Sequence, residues 1–426
     1  MNKETLLIKG GRVTDPSQKI DYISDILVED GKIKTIGKEL SASGAEVFDA
    51  AGMIVMPGLI DMHTHLREPG NEEAETIESG CNAAAAGGFT AVCAMPNTQP
   101  SADDAGRIRY IMERARSKKA RVYPVGAITQ GREGKEIAEI GEMAAAGAVA
   151  FSDDGVSVAD AYVMQNALRY TNMVGRVIIA HEEDPNLDRD GQMNESALSA
   201  VLGLRGMPRT AEEIMVSRDI ALAEYTKTKI HITHISTKGS VDIIRAAKAR
   251  GVKVTCDATP HHLTLTEDLL TSYDTRFKMN PPLRTTEDVE ALVKGLCDGT
   301  IDAIATDHAP HYPENKEVEF IYASFGVTGL ETALAVIQLG FVEKGLLSFA
   351  DVVRKMSLAP VEILGIPGGT LKPDSPADIT IYNPNMKWTV DPAKMKSRSI
   401  NTAYFGREMP GKTAATIVGG VLYINE

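Results

Sequence analysis

The 426-residue chain is poor in cysteine, with four residues and no CxxC pair among them. A disulfide-stapled scaffold and a thiolate zinc cluster are therefore both excluded. Cys93 and Cys256 lie inside strand-like runs and read as buried thiols, which fits a reducing, cytoplasmic setting. No apolar stretch approaches the length needed to cross a bilayer, and the opening apolar run is too short for a secretory signal. Basic residues are outnumbered, 45 Lys and Arg against 58 Asp and Glu, for a net charge of -13. Such a balance argues against a nucleic-acid partner. It also means that an anionic small molecule would need local positive charge to approach. There is no low-complexity segment and no regular repeat.

What is present is an ordinary globular composition, 43% hydrophobic and 24% charged, with a distinctive order. Eight short β-like runs can be marked: Leu59–His65, Thr90–Met95, Arg121–Ala127, Ala148–Ser152, Arg176–His181, Lys229–His234, Lys253–Asp257 and Asp302–Asp307. Amphipathic segments separate them, among them Ala105–Lys118, Ala211–Tyr225 and Ser240–Arg250. The last is expected to start with Ser240 as N-cap and to stop at Gly251. Strands alternating with helices imply parallel pairing, and eight such units predict a (β/α)8 TIM barrel. The strand-rich ends predict a small β-sandwich assembled from both termini. The expected division is residues 1–55 and 366–426 for the sandwich and 56–365 for the barrel.

The polar residues sharpen this. His63 and His65 are two apart on a strand and should share a face, with Arg67 following if the strand persists. His181, His234 and Asp307 end other runs, and Asp154 lies just past the fourth. In a TIM barrel all these ends meet at one mouth. Four imidazoles and two carboxylates suit a borderline metal such as zinc, and one carboxylate can bridge two ions about 3.5–4 Å apart. His231 sits three residues before His234, which predicts the opposite face and a structural role. The pair His261-His262 and His308 also read as structural or supporting.

Several segments carry a resemblance beyond this geometry. They are Asp61-Met62-His63-Thr64-His65-Leu66-Arg67-Glu68-Pro69-Gly70, Ala94-Met95-Pro96-Asn97-Thr98, Phe151-Ser152-Asp153-Asp154-Gly155, His234-Ile235-Ser236-Thr237, Lys278-Met279-Asn280-Pro281-Pro282-Leu283-Arg284 and Ala305-Thr306-Asp307-His308-Ala309-Pro310-His311. Over nearly its whole length the chain resembles the amidohydrolase superfamily, and within it the bacterial class I dihydroorotases. The resemblance implies a cyclic-amide hydrolase that interconverts dihydroorotate and N-carbamoyl-L-aspartate in pyrimidine biosynthesis. Ring closure consumes a proton, so acid pH should favour the ring.

Carried over residue by residue, it implies two Zn2+ ions, the first held by His63, His65 and Asp307, the second by His181 and His234. Asp154 would bridge them, with Asp153 as the register alternative, and Asp307 would shuttle the proton. Arg67, Asn97 and His311 would hold the substrate carboxylate. His65, Asn280 and the Phe325-Gly326 backbone would complete the substrate contacts. Many relatives bridge their metals with a carboxylated lysine, but the fourth run here offers none. Ser324 stands where proline is common, after a charged stretch, Glu314–Glu319, that reads as a mobile lid. The alternatives are an allantoinase or hydantoinase, or an inactive scaffold for aspartate transcarbamoylase. Retention of all six candidate ligands argues against the scaffold. A homodimer, with possible association with that transcarbamoylase, is implied by kinship alone.

Overall fold

The computed structural model describes residues 5–425. Eight strands form the barrel wall: β1 (Leu59–Thr64), β2 (Phe89–Ala94), β3 (Arg121–Gly126), β4 (Ala150–Phe151), β5 (Val177–Ala180), β6 (Ile230–Ile232), β7 (Val254–Ala258) and β8 (Ala303–Ile304). Neighbours in the chain are neighbours in the sheet, and every pairing is parallel. The wall closes between its last and first members. Thr64 bridges His308 in parallel, and His65 N donates to His308 O at 2.8 Å. The buried Asp61 carboxylate accepts from Thr306 N at 3.1 Å and from His63 N at 3.0 Å. Burial pushes the Asp61 carboxyl up to about 6.

Alternation along the strands builds two apolar layers. Ile60, Met62, Ala91, Cys93, Ile179 and Ala303 belong to one buried cluster. Phe89, Val92, Ile178, Ile230 and Cys256 belong to another, packed with helix residues such as Ile108, Leu168, Val216 and Ile244. Complete burial of such side chains contributes roughly 1.5–3 kcal/mol each. Among the helices, Ala105–Arg114 is capped by Asp104 and Thr210–Thr226 matches its expected span. The helix expected to begin at Ser240 begins at Lys238 instead. Thr237 is its cap, and its hydroxyl accepts from Ser240 N at 3.1 Å, so Ser240 lies inside the first turn. No helix among the described residues is long and apolar enough to cross a membrane.

The terminal strands form one hydrogen-bonded sheet of eight, around a core of its own that includes Ile8, Val13, Ile26, Val55, Ile379 and Ile417. Its central junction joins the two ends of the chain: Ile54–Pro57 runs parallel to Thr5–Asp15 on one side and antiparallel to Ile379–Thr389 on the other. Gly58 then leads straight into β1. A side chain there would collide with Thr90, because a Cβ would stand 2.0 Å from Thr90 Oγ1. Arg121 makes a two-pronged bond to Asp378, at 2.9 and 3.0 Å, and Thr380 Oγ1 donates to Gly88 O at 2.6 Å. These contacts fix the sheet to the barrel flank and hold the start of β1 still.

Residues 395–404, between two strands of the terminal sheet, pack against loops of the barrel. Ser399 Oγ reaches Ala74 O at 2.6 Å and Asn401 reaches the loop after β8. The long connections after β5 and β7 hold short added elements, including the strand pair Met193–Asn194 and Gly206–Met207.

Candidate metal centre and active site

Six side chains from five strand ends converge at the barrel mouth. Around Asp154 Oδ1 stand His63 Nε2 at 3.2 Å, His181 Nδ1 at 3.4 Å and His234 Nε2 at 3.4 Å. The other oxygen, Oδ2, lies 3.4 Å from His65 Nε2. Asp307 Oδ1 is 3.0 Å from His65 Nε2 and 3.5 Å from His63 Nε2. The Asp154 carboxylate therefore spans both halves of the cluster. Ligand atoms of His63, His65 and Asp307 form one compact group, and those of His63, Asp154 and His234 a second.

Backbone turns place several of these residues. β6 ends at Ile232, and His234 takes a left-handed conformation, φ 37°. Asp257 links the two residues, accepting from the His231 ring and from the His234 backbone N–H, while the His234 ring faces Asp154 and His181. Asp307 is likewise left-handed, φ 47°, beyond a β8 only two residues long. Arg67 is past the end of β1 with φ 60°, so its direction is set by a turn and not by the strand.

A ring of supporting residues fixes which nitrogen faces inward. Thr233 Oγ1 donates to Asp257 Oδ2 at 3.1 Å, which leaves its lone pair to accept from His63 Nδ1 at 2.8 Å. Asp257 also accepts from His231 Nε2 at 2.8 Å and from His234 N at 2.7 Å. Asn97 Oδ1 accepts from His65 Nδ1 at 2.7 Å. Glu183 Oε2 accepts from His181 Nε2 at 3.2 Å, which turns Nδ1 toward Asp154. Asp257, Thr233 and Glu183 were not singled out from the sequence. The position of Asp257 at a strand end was the available signal.

Asp153, the register alternative, faces elsewhere. Its carboxylate accepts from Ile128 N at 2.8 Å, from Thr129 N at 3.0 Å and from the Thr129 hydroxyl.

The charge pattern of the cluster suits a bound cation. Burial alone would lower His63, but Asp154 and Asp307 raise it to about 9. At His181, Asp154 and Glu183 likewise outweigh burial and raise it to about 10. Burial would raise both carboxyls, yet the imidazoles hold Asp154 and Asp307 well below the ordinary range. His63 Nε2 and Asp154 Oδ1 are buried atoms with no hydrogen-bond partner. Buried nitrogen and carboxylate donors aimed at one point, with their outer atoms already satisfied, fit a divalent metal of the zinc type.

Beside the cluster lies a second group. Arg67 Nε donates to Pro310 O at 3.1 Å, and Nη2 lies 3.4 Å from His311 Nε2. His311 Nε2 donates to Phe325 O at 2.7 Å, leaving a buried Nδ1 without a partner. Burial lowers the Arg67 guanidinium to about 10, which leaves it charged at neutral pH. Asn280 Nδ2 donates to Glu183 Oε2 at 2.8 Å, and its buried Oδ1 is unpartnered. Gly326, with φ 135°, packs so closely that a Cβ would stand 2.7 Å from Ala309 Cβ.

His261, His262 and His308 are also buried. His308 bonds Glu75 and Gly329 N, and His262 bonds Thr259 and Pro281 O. His261 is buried with Nε2 unpartnered.

A closed parallel barrel, a terminal β-sheet and a His/Asp cluster at the strand C-termini define the amidohydrolase class of barrel enzymes. An L-hydantoinase from Arthrobacter aurescens is similar over 99% of this chain and 96% of its own, with a TM-score of 0.88 and 26% identity. The dihydro-orotase-like family profile matches residues 52–240. Dihydroorotases from Pelotomaculum thermopropionicum and Geobacter metallireducens are each 53% identical over 97% of the chain and cover 97% and 98% of their own lengths. The chain belongs to the dihydroorotase family.

Proposed function

We propose that this chain is a class I dihydroorotase that uses two zinc ions. The reaction interconverts dihydroorotate and N-carbamoyl-L-aspartate, a step of pyrimidine biosynthesis. The observation that carries the metal assignment is the central Asp154 carboxylate, with three imidazoles near one oxygen and His65 near the other. His63, His65 and Asp307 would hold one ion, His181 and His234 the other, and Asp154 both. When bound, such a pair polarises a carbonyl oxygen and lowers the pKa of water toward neutrality.

The protein's own groups supply the rest. Arg67 binds the substrate carboxylate that takes no part in bond making, with Asn97 and His311 completing the clamp. Asn280 Oδ1 is a free acceptor for a ring N–H. The Phe325-Gly326 backbone covers the ring. In hydrolysis Asp307 takes the proton of the attacking water and returns it to the leaving ring nitrogen; in ring closure it takes a proton from the ureido nitrogen as that nitrogen attacks the carboxyl carbon and passes it to the departing oxygen, which leaves as water. We infer a cytoplasmic homodimer able to associate with an aspartate transcarbamoylase, from kinship alone.

The test is turnover of dihydroorotate alongside hydantoin and allantoin, with zinc counted per chain. Preference for dihydroorotate with two zincs is expected, and preference for either other ring would overturn the assignment. Arg67→Lys loses the two-pronged guanidinium and should raise KM for dihydroorotate at least about tenfold. An unchanged KM would remove Arg67 from the clamp.

A further inference from the structure

The stretch Glu314–Glu319 reads in sequence as a mobile lid, yet Lys316 within it is only 5% exposed. Its ammonium donates to three backbone carbonyls: Ser324 O at 2.8 Å, Lys278 O at 3.1 Å and Gly326 O at 3.1 Å. Three N–H bonds meet three acceptors, and no carboxylate takes part. The same Lys278 O accepts from Gly326 N at 3.0 Å, and the same Gly326 O accepts from Asn401 Nδ2 at 3.1 Å. Asn401 Oδ1 in turn accepts from His311 N at 3.1 Å.

These bonds surround one turn. Ser324 and Gly326 flank Phe325, whose carbonyl is the acceptor for His311 Nε2, and His311 stands against Arg67. A short chain of contacts thus runs from Lys316 through the Phe325-Gly326 turn to His311 and the Arg67 guanidinium beside it. Burial of a lysine without a carboxylate partner is costly, and burial lowers this ammonium to about 7. Packing alone would be better served by an apolar side chain of similar volume. Three carbonyls turned inward toward one cation hold the turn in a way that an apolar residue does not.

We propose that Lys316 is a positioning residue for the dihydroorotase reaction: its buried ammonium fixes the Phe325-Gly326 turn and, through it, His311 beside the Arg67 guanidinium that binds the substrate carboxylate. This rests on the substrate reading given above.

The experiment compares Lys316→Met, Lys316→Cys and Lys316→Cys alkylated with bromoethylamine, which rebuilds an ammonium on a side chain of nearly lysine length. Wild type treated with the same reagent controls for the exposed Cys297. Lys316→Met and untreated Lys316→Cys should raise KM for dihydroorotate about tenfold or more, with kcat changed less and bound zinc unchanged. Alkylation should restore most of the loss.

Arg67→Lys is measured in parallel. If it raises KM while Lys316→Met does not, the positioning role is overturned and the substrate reading survives. If neither raises KM, the carboxylate clamp itself is wrong and the proposal falls with it. Should Lys316→Met and Lys316→Cys not fold, Lys316→Gln, which keeps two N–H donors, takes their place. Failure of all three to fold with wild-type zinc would assign Lys316 to folding alone and overturn the proposal.

Discussion

Asp307→Asn should lower kcat for dihydroorotate hydrolysis by about a thousandfold, the middle of the range for loss of a general acid–base group. That corresponds to about 4 kcal/mol of barrier. The amide is nearly the same shape as the carboxylate and keeps an oxygen to offer His65 and His63. It cannot accept and return a proton. KM should move little, because in the proposed reading Arg67 holds the other end of the substrate. The expected pair of results is turnover slowed about a thousandfold with zinc content unchanged. Near-normal turnover with both ions bound would show that the proton travels another way. The histidines around Asp307 keep it ionised against the pull of burial.

The neighbouring aspartates give the second large contrast. Asp154→Asn removes the carboxylate at the centre of the histidine cluster, and bound zinc should fall well below two per chain with activity lost alongside it. Asp153→Asn should keep its zinc. The Asp153 carboxylate accepts two backbone N–H groups and a hydroxyl, and an amide can satisfy them only in part. Loss of about 1–3 kcal/mol of stability follows for such a buried site, read as a lower Tm. Metal analysis of the two proteins side by side decides between the registers, and zinc lost from Asp153→Asn instead of Asp154→Asn would reverse the assignment of the bridge.

The barrel was legible because β-strand periodicity and the helices between strands repeat along the chain, and because the polar strand ends point to one mouth. His63 and His65 are the clearest case, since alternation puts them on one face and their ring centroids lie 5.1 Å apart. Alternation carries no information where the strands stop. His234, Asp307 and Arg67 are themselves in left-handed conformations, and a period of two says nothing about a side chain at such a turn.

The supporting residues were hidden for a different reason. Thr233 and Asp257 matter through partners on other strands, which no local pattern marks, and Glu183 matters because the turn after β5 brings it back onto the His181 ring two residues earlier. Lys316 was obscured by its neighbours: charged residues on both sides suggested exposure, while three distant carbonyls decide its burial. The helix start at Lys238 illustrates the same limit on a smaller scale, because Thr237 and Ser240 are both good caps by type and only the backbone direction selects one.

Ile54–Pro57 takes its neighbours from opposite ends of the polypeptide. During synthesis it can pair with Thr5–Asp15 early, but its other edge stays open until Ile379–Thr389 has left the ribosome. For that interval the growing chain carries a bare strand edge, the kind of surface that recruits other chains. Premature termination anywhere within the barrel would leave that edge open permanently, immediately upstream of the strand that delivers His63.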